Sequence, residues 1–132
     1  MGLITISQAQ GRVPVTVFHV RDRINLGNVA ELEKTAREAY AGGTRDLLLD
    51  LAEAPSLTSV ALRAILAIYK QLHSDSPAQG EAAQAERPDA PRKSIHFKIA
   101  NASPYVREVL MIAGFSDYIE VYDSVPEAVA SF

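Results

Sequence analysis

The run Asp46-Leu47-Leu48-Leu49-Asp50-Leu51 decides the fold. Continuous apolar character over so short a stretch predicts a strand covered on both faces, and so one that lies mid-sheet. Helices must do the covering, and amphipathic patterns lie on both sides of the run. Upstream, Val29, Leu32, Ala36 and Tyr40 recur at helical spacing behind a capping Asn28, with Glu31, Glu33, Lys34, Arg37 and Glu38 on the solvated side. Gly42-Gly43 ends that helix, because glycine accepts the left-handed C-cap conformation without strain. Downstream, after Ala54-Pro55-Ser56-Leu57, residues 58–73 place Ala61, Ile65, Ile68, Tyr69 and Leu72 on one helical face.

Farther out, residues 3–8 and 13–20 alternate apolar and polar side chains around a Gly11-Arg12 turn, which predicts a hairpin with a proline near the start of its second strand. Residues 74–93 hold Pro77, Pro88 and Pro91 among Ala, Gln, Glu and Asp, and too little apolar surface to offset the entropy of ordering. They read as a flexible loop inserted within the domain. Ile95, Phe97 and Ile99 then predict a strand, and Ser103-Pro104 a helix start, with Val106, Val109, Leu110 and Ala113 inward and Gly114 as its end. Residues 118–122 predict a last strand, and Ser124 opens a final helix with Val125, Ala128, Val129 and Phe132 inward. The order ββαβαβαβα implies an α/β fold, a central mixed sheet with helices packed on it.

The 132 residues suit one domain, 1–132. A net charge of −3 and the lack of a basic stripe disfavour direct nucleic-acid binding. No stretch approaches a membrane span, the first residues lack a leader pattern, and cysteine is absent; a cytoplasmic location is expected, with no membrane insertion.

Several strings resemble the STAS domain, the family named for sulfate transporters and anti-sigma factor antagonists. Leu47-Leu48-Leu49-Asp50-Leu51 followed by Leu57-Thr58-Ser59-Val60-Ala61-Leu62 resembles the family's strand, loop and helix start with its Asp-Ser-Ser-Gly-Leu signature. Asn101-Ala102-Ser103-Pro104-Tyr105-Val106-Arg107, Ile112-Ala113-Gly114-Phe115 and Tyr122-Asp123-Ser124-Val125 with Glu127-Ala128 resemble its last two helices and the strand between them. The chain departs from the family at Thr58, Val60 and Ala61, keeping the first serine and the leucine of the signature. It also carries Asn25 where Gly-x-Leu-Asp has its carboxylate.

The resemblance implies that Ser59 matches the serine phosphorylated by the anti-sigma factor, itself a kinase. A phosphate there would meet the positive end of a helix dipole, and would add roughly 1.5 to 2 negative charges to a surface meant for a partner. The structural alternative is that Ser59 or Thr58 simply caps the helix. Asn25, Thr58, Val60 and Arg63 are the candidates for the switch loop and partner surface.

Linear motifs for catalysis are absent. His19, His73 and His96 lack metal-site spacing, so no metal or cofactor is expected, and no GxxxxGK[ST], GxGxxG or GxSxG string occurs. Asp22, Asp46 and Asp50 read as groups at strand ends. The sequence therefore predicts a regulatory protein-binding domain and no enzyme: an anti-sigma factor antagonist acting by partner switching. Its partners would be an anti-sigma factor or related serine kinase, with a phosphatase acting on phosphorylated Ser59. The alternative is a constitutive STAS adaptor or scaffold subunit of a transporter or signalling assembly.

Overall fold

In the computed structural model, which describes residues 3–54, 56–73 and 96–132, the leucine run is strand β3 (Leu47–Asp50), at the centre of a five-stranded sheet. The hairpin strands β1 (Ile4–Gln10) and β2 (Pro14–Val20) are antiparallel, while β2, β3, β4 (Phe97–Ala100) and β5 (Glu120–Tyr122) run parallel in sequential order. Helices α1 (Val29–Ala41), α2 (Ser59–His73), α3 (Pro104–Ile112) and α4 (Val125–Ser131) complete the expected order. The loop insertion read over residues 74–93, and Ile95, lie outside the described residues.

Side chains on β3 alternate between two apolar layers. Phe18, Leu49 and Ile99 are aligned across three strands, and pack with Leu32 of α1, Ile65 of α2 and Leu110 of α3. Each such fully buried side chain contributes roughly 2 kcal/mol of transfer free energy. The opposite layer joins Val15, Val17, Leu48 and Ala100 to Ala128 and Val129 of the C-terminal helix α4. One face thus carries three helices, and the other is covered by a single short one.

The caps follow the sequence at the C-terminal end. Ser103 accepts from the Val106 N–H at 3.2 Å, Ser124 accepts from Glu127 N–H at 3.3 Å, and Pro104 and Pro126 sit where the helix needs no N–H donor. Gly43 and Gly114 both adopt positive φ, at 113° and 84°, and close α1 and α3 as their positions predict.

Local expectations change in three places, and one buried charge lies outside them. Asn28 occupies the N-cap of α1 without a side-chain capping bond, because its amide is spent on Asn25 N–H and Arg23 C=O. Ala113 is exposed, since α3 ends one residue before it. A 3-10 turn, Phe115–Asp117, shortens the last strand from the expected 118–122 to three residues. Finally, Lys98 is buried: its Nζ donates to Ser131 C=O and Oγ at 2.9 and 3.0 Å and pairs with Glu120 at 3.0 Å, so it holds the last turn of α4 onto the sheet.

Candidate functional site

The loops after β2, β3 and β4 all emerge at the carboxyl ends of the parallel strands, where open α/β sheets place their sites. Ser59, the first residue of α2, lies there and is exposed. Its neighbour Thr58 is half-buried and does the capping. The Thr58 hydroxyl oxygen accepts from Ala61 N–H at 3.2 Å and donates to Ile24 C=O at 3.1 Å. Thr58 C=O also receives the first helical bond, from Leu62 N–H at 3.0 Å. Ser59 makes no side-chain hydrogen bond among the described residues. Of the two hydroxyls that could have capped α2, one is committed and the other is presented to solvent.

The β2–α1 loop is built against that helix start. Ile24 is fully buried and forms an isolated parallel bridge with Leu57, so Thr58 binds a carbonyl already fixed in place. Asn25 makes an Asx turn, its carboxamide oxygen accepting from Gly27 and Asn28 N–H at 2.8 and 3.1 Å. An amide serves here as well as a carboxylate would. The turn leaves Leu26 81% exposed, two residues after the Ile24 carbonyl that Thr58 binds.

Along α2 the exposed positions Ser59, Arg63, Leu66, Ala67 and Lys70 recur at helical spacing and form one outward stripe, while Val60 is half-buried at its margin. Asn25, Ser59 and Arg63 therefore share the loop-and-helix surface, and Thr58 supports it from beneath. A groove of about 500 Å³ of mixed polar and apolar lining, with Leu66, Tyr69, Phe115, Asp117, Tyr118 and Ile119 among its walls, opens farther along α2. Tyr69, expected in the core, is half-buried there with its ring edge-on to Tyr118 at 6.3 Å.

A second polar cluster was not legible in the sequence. At the end of β3, Asp50 Oδ2 lies 2.7 Å from His19 Nδ1, while Asp50 Oδ1 accepts from Asn101 Nδ2 and Ala52 N–H, both at 3.0 Å. His19 Nε2 in turn lies 2.8 Å from Ser7 Oγ. Burial pushes the Asp50 pKa up, but the hydrogen bonds from Asn101, His19 and Ala52 outweigh it and hold the carboxyl below the usual carboxylate range. Asp50 thus ties together the starts of the β3–α2 and β4–α3 loops, with Asn101 at φ 62°. The cluster depends on strand pairing: register sets His19 beside Asp50, and Ser7, paired with Val17, reaches His19 diagonally on the same face.

No group of three metal-ligating side chains occurs among the described residues, and no described helix is long and apolar enough to cross a membrane.

The STAS domain profile matches residues 7–76. The Bordetella bronchiseptica protein BtrV, assigned as an anti-sigma factor antagonist, is 30% identical over 109 residues, covering 83% of this chain and 78% of its own. A Thermotoga maritima structure with the same assignment superposes with a TM-score of 0.74 at 17% identity, over 95% of this chain and 90% of that one. The Bacillus cell-fate determinant SpoIIAA in its phosphorylated form gives a TM-score of 0.62 at 13% identity, over 96% of both chains. At those identities the two structures establish likeness of fold.

Proposed function

We propose that this chain, which belongs to the STAS domain family, is a cytoplasmic anti-sigma factor antagonist whose partner surface is switched off by phosphorylation of Ser59. The observation that carries the reading is the division of labour at the start of α2. Thr58 is consumed as the cap, so Ser59 is free of a structural duty, exposed, and flanked by an outward stripe suited to contact. A relative assigned as an anti-sigma factor antagonist and a similar fold known in phosphorylated form support it.

The mechanism follows from electrostatics. A kinase transfers the γ-phosphoryl group to the Ser59 hydroxyl, whose proton leaves to a base on the kinase. The phosphate then sits at the N-terminus of a four-turn helix, with Arg63 one turn ahead on the same face, so the fold accommodates it. A protein partner packed over Leu26, Ser59 and Arg63 does not. It would have to desolvate or confront a doubly charged group, and it dissociates. Unphosphorylated, the surface binds the anti-sigma factor and frees the sigma factor to direct transcription; a phosphatase restores that state.

Isothermal titration of the anti-sigma partner against substituted chains tests the reading. Ser59→Asp should weaken binding by about tenfold or more, equivalent to about 1.4 kcal/mol. Ser59→Ala should bind like the parent and become indifferent to kinase and ATP. Equal binding by both variants would instead favour a constitutive adaptor.

A further inference from the structure

We propose that Ser7, His19 and Asp50 form a second, catalytic site, a nucleophilic serine that reacts with activated esters and phosphonofluoridates and hydrolyses the former. It is independent of the Ser59 surface. The three side chains come from β1, β2 and β3 and lie on one face of the sheet, in the order an acyl-transfer relay requires: hydroxyl, imidazole Nε2, imidazole Nδ1, carboxylate. The spacings, 2.8 Å from Ser7 Oγ to His19 Nε2 and 2.7 Å from His19 Nδ1 to Asp50 Oδ2, are hydrogen-bonding distances in both steps.

The proton positions follow from the carboxylate. Asp50 is ionised at neutral pH and accepts only, so Nδ1 of a neutral His19 must carry the hydrogen. That leaves the Nε2 lone pair facing the Ser7 hydroxyl, which is the tautomer of a general base. Asp50 is itself fixed by Asn101 and Ala52, and so acts as a positioning residue for the ring. Ser7 is exposed and His19 keeps 27% of its side-chain surface, so a reagent can reach the nucleophile.

The free edge of the sheet leaves one candidate oxyanion donor next to the nucleophile in sequence. Arg21 N–H donates to Leu3 C=O and Gly11 N–H to Val13 C=O, which sets the odd-numbered residues of β1 in bonded phase with β2. Backbone groups of even-numbered residues then point off the free edge. Ile4 N–H, in that phase, is taken by Glu31 Oε2, whereas the N–H of Gln8, next after the nucleophile, has no partner among the described residues. One such donor on an open face suits substrates with good leaving groups.

In the reaction, Ser7 Oγ attacks the ester carbonyl while His19 Nε2 takes its proton. The carbon–oxygen bond to the leaving aryl oxide breaks, and the proton passes from His19 to solvent or to the leaving group. Water then attacks the acyl-serine with His19 again as base, releasing the carboxylic acid and restoring Ser7. With a phosphonofluoridate the leaving group is fluoride, and the adduct is stable.

The test uses the full chain with a fluorophosphonate probe, read by intact mass and peptide mapping, and with p-nitrophenyl acetate. A single adduct at Ser7 is expected. It should be absent in Ser7→Ala, slowed about 100-fold or more in His19→Gln, and unchanged in Gln10→Ala, an exposed residue of the same strand whose side chain lies on the opposite face. Asp50→Asn, confirmed as folded by circular dichroism, should lower kcat for the ester and leave KM unchanged. No adduct on the folded parent chain, an adduct elsewhere, or equal labelling in His19→Gln overturns the proposal.

Discussion

Replacing Thr58 by Val keeps the shape of the side chain and deletes one oxygen. That oxygen has two duties: it caps α2 through Ala61 N–H, and it satisfies the carbonyl of the buried Ile24 in the neighbouring loop. A lost cap costs about 1 kcal/mol, and a lost hydrogen bond to a buried carbonyl about 1 kcal/mol more. The sum of about 2 kcal/mol corresponds to a fall in Tm of roughly 7 °C for a chain of this length. Ser59→Ala deletes an oxygen without a partner and should change stability by less than about 0.5 kcal/mol. Urea unfolding followed by far-ultraviolet circular dichroism and by the fluorescence of the five tyrosines, with no tryptophan to mask them, measures both variants. If Ser59→Ala destabilised the chain as much as Thr58→Val, the cap would be shared, and the division of labour behind the functional reading would be wrong.

Two further outcomes follow from buried charge. Lys98→Met removes the ammonium that holds the Ser131 carbonyl and should cost about 2 kcal/mol, with amide exchange rising first in α4; uniform exchange across the sheet would show that Lys98 does not pin that helix. The Asp50 pKa is depressed in the folded chain, so its contribution is present above the unfolded carboxylate value of about 3.9 and is lost as pH falls through the lower folded value. Stability measured against pH should therefore decline in that acid range for the parent and decline less for Asp50→Asn; parallel curves would contradict the assignment.

The fold was legible where one pattern had one physical solution. Four leucines within six residues can only be a covered strand, and Ser103-Pro104 and Ser124 with Pro126 can only open helices; all three stand as read. Asn28 misled because an amide at a helix start can serve the loop before it as readily as the helix after it. The burial of Lys98 was not legible, because a strand pattern shows alternation without showing what covers the second face, which here is α4. For the site, sequence resemblance pointed to Ser59 as the candidate but left Thr58 and Ser59 equivalent as caps. Only the position of Ile24 C=O, 34 residues earlier, separates them. The Ser7, His19 and Asp50 cluster was out of reach for the same reason, because its members are 12 and 31 residues apart and meet only once the strands pair, His19 beside Asp50 in register and Ser7 diagonally across from His19.

The central claim is that Ser59 is the phosphoacceptor of a partner switch. Incubation of the chain with its cognate serine kinase and ATP, followed by peptide mapping in the mass spectrometer, tests it most directly. The account predicts a single phosphate on Ser59, none on Thr58, and no incorporation by Ser59→Ala; an unmodified Ser59 under conditions where the kinase is active would contradict it.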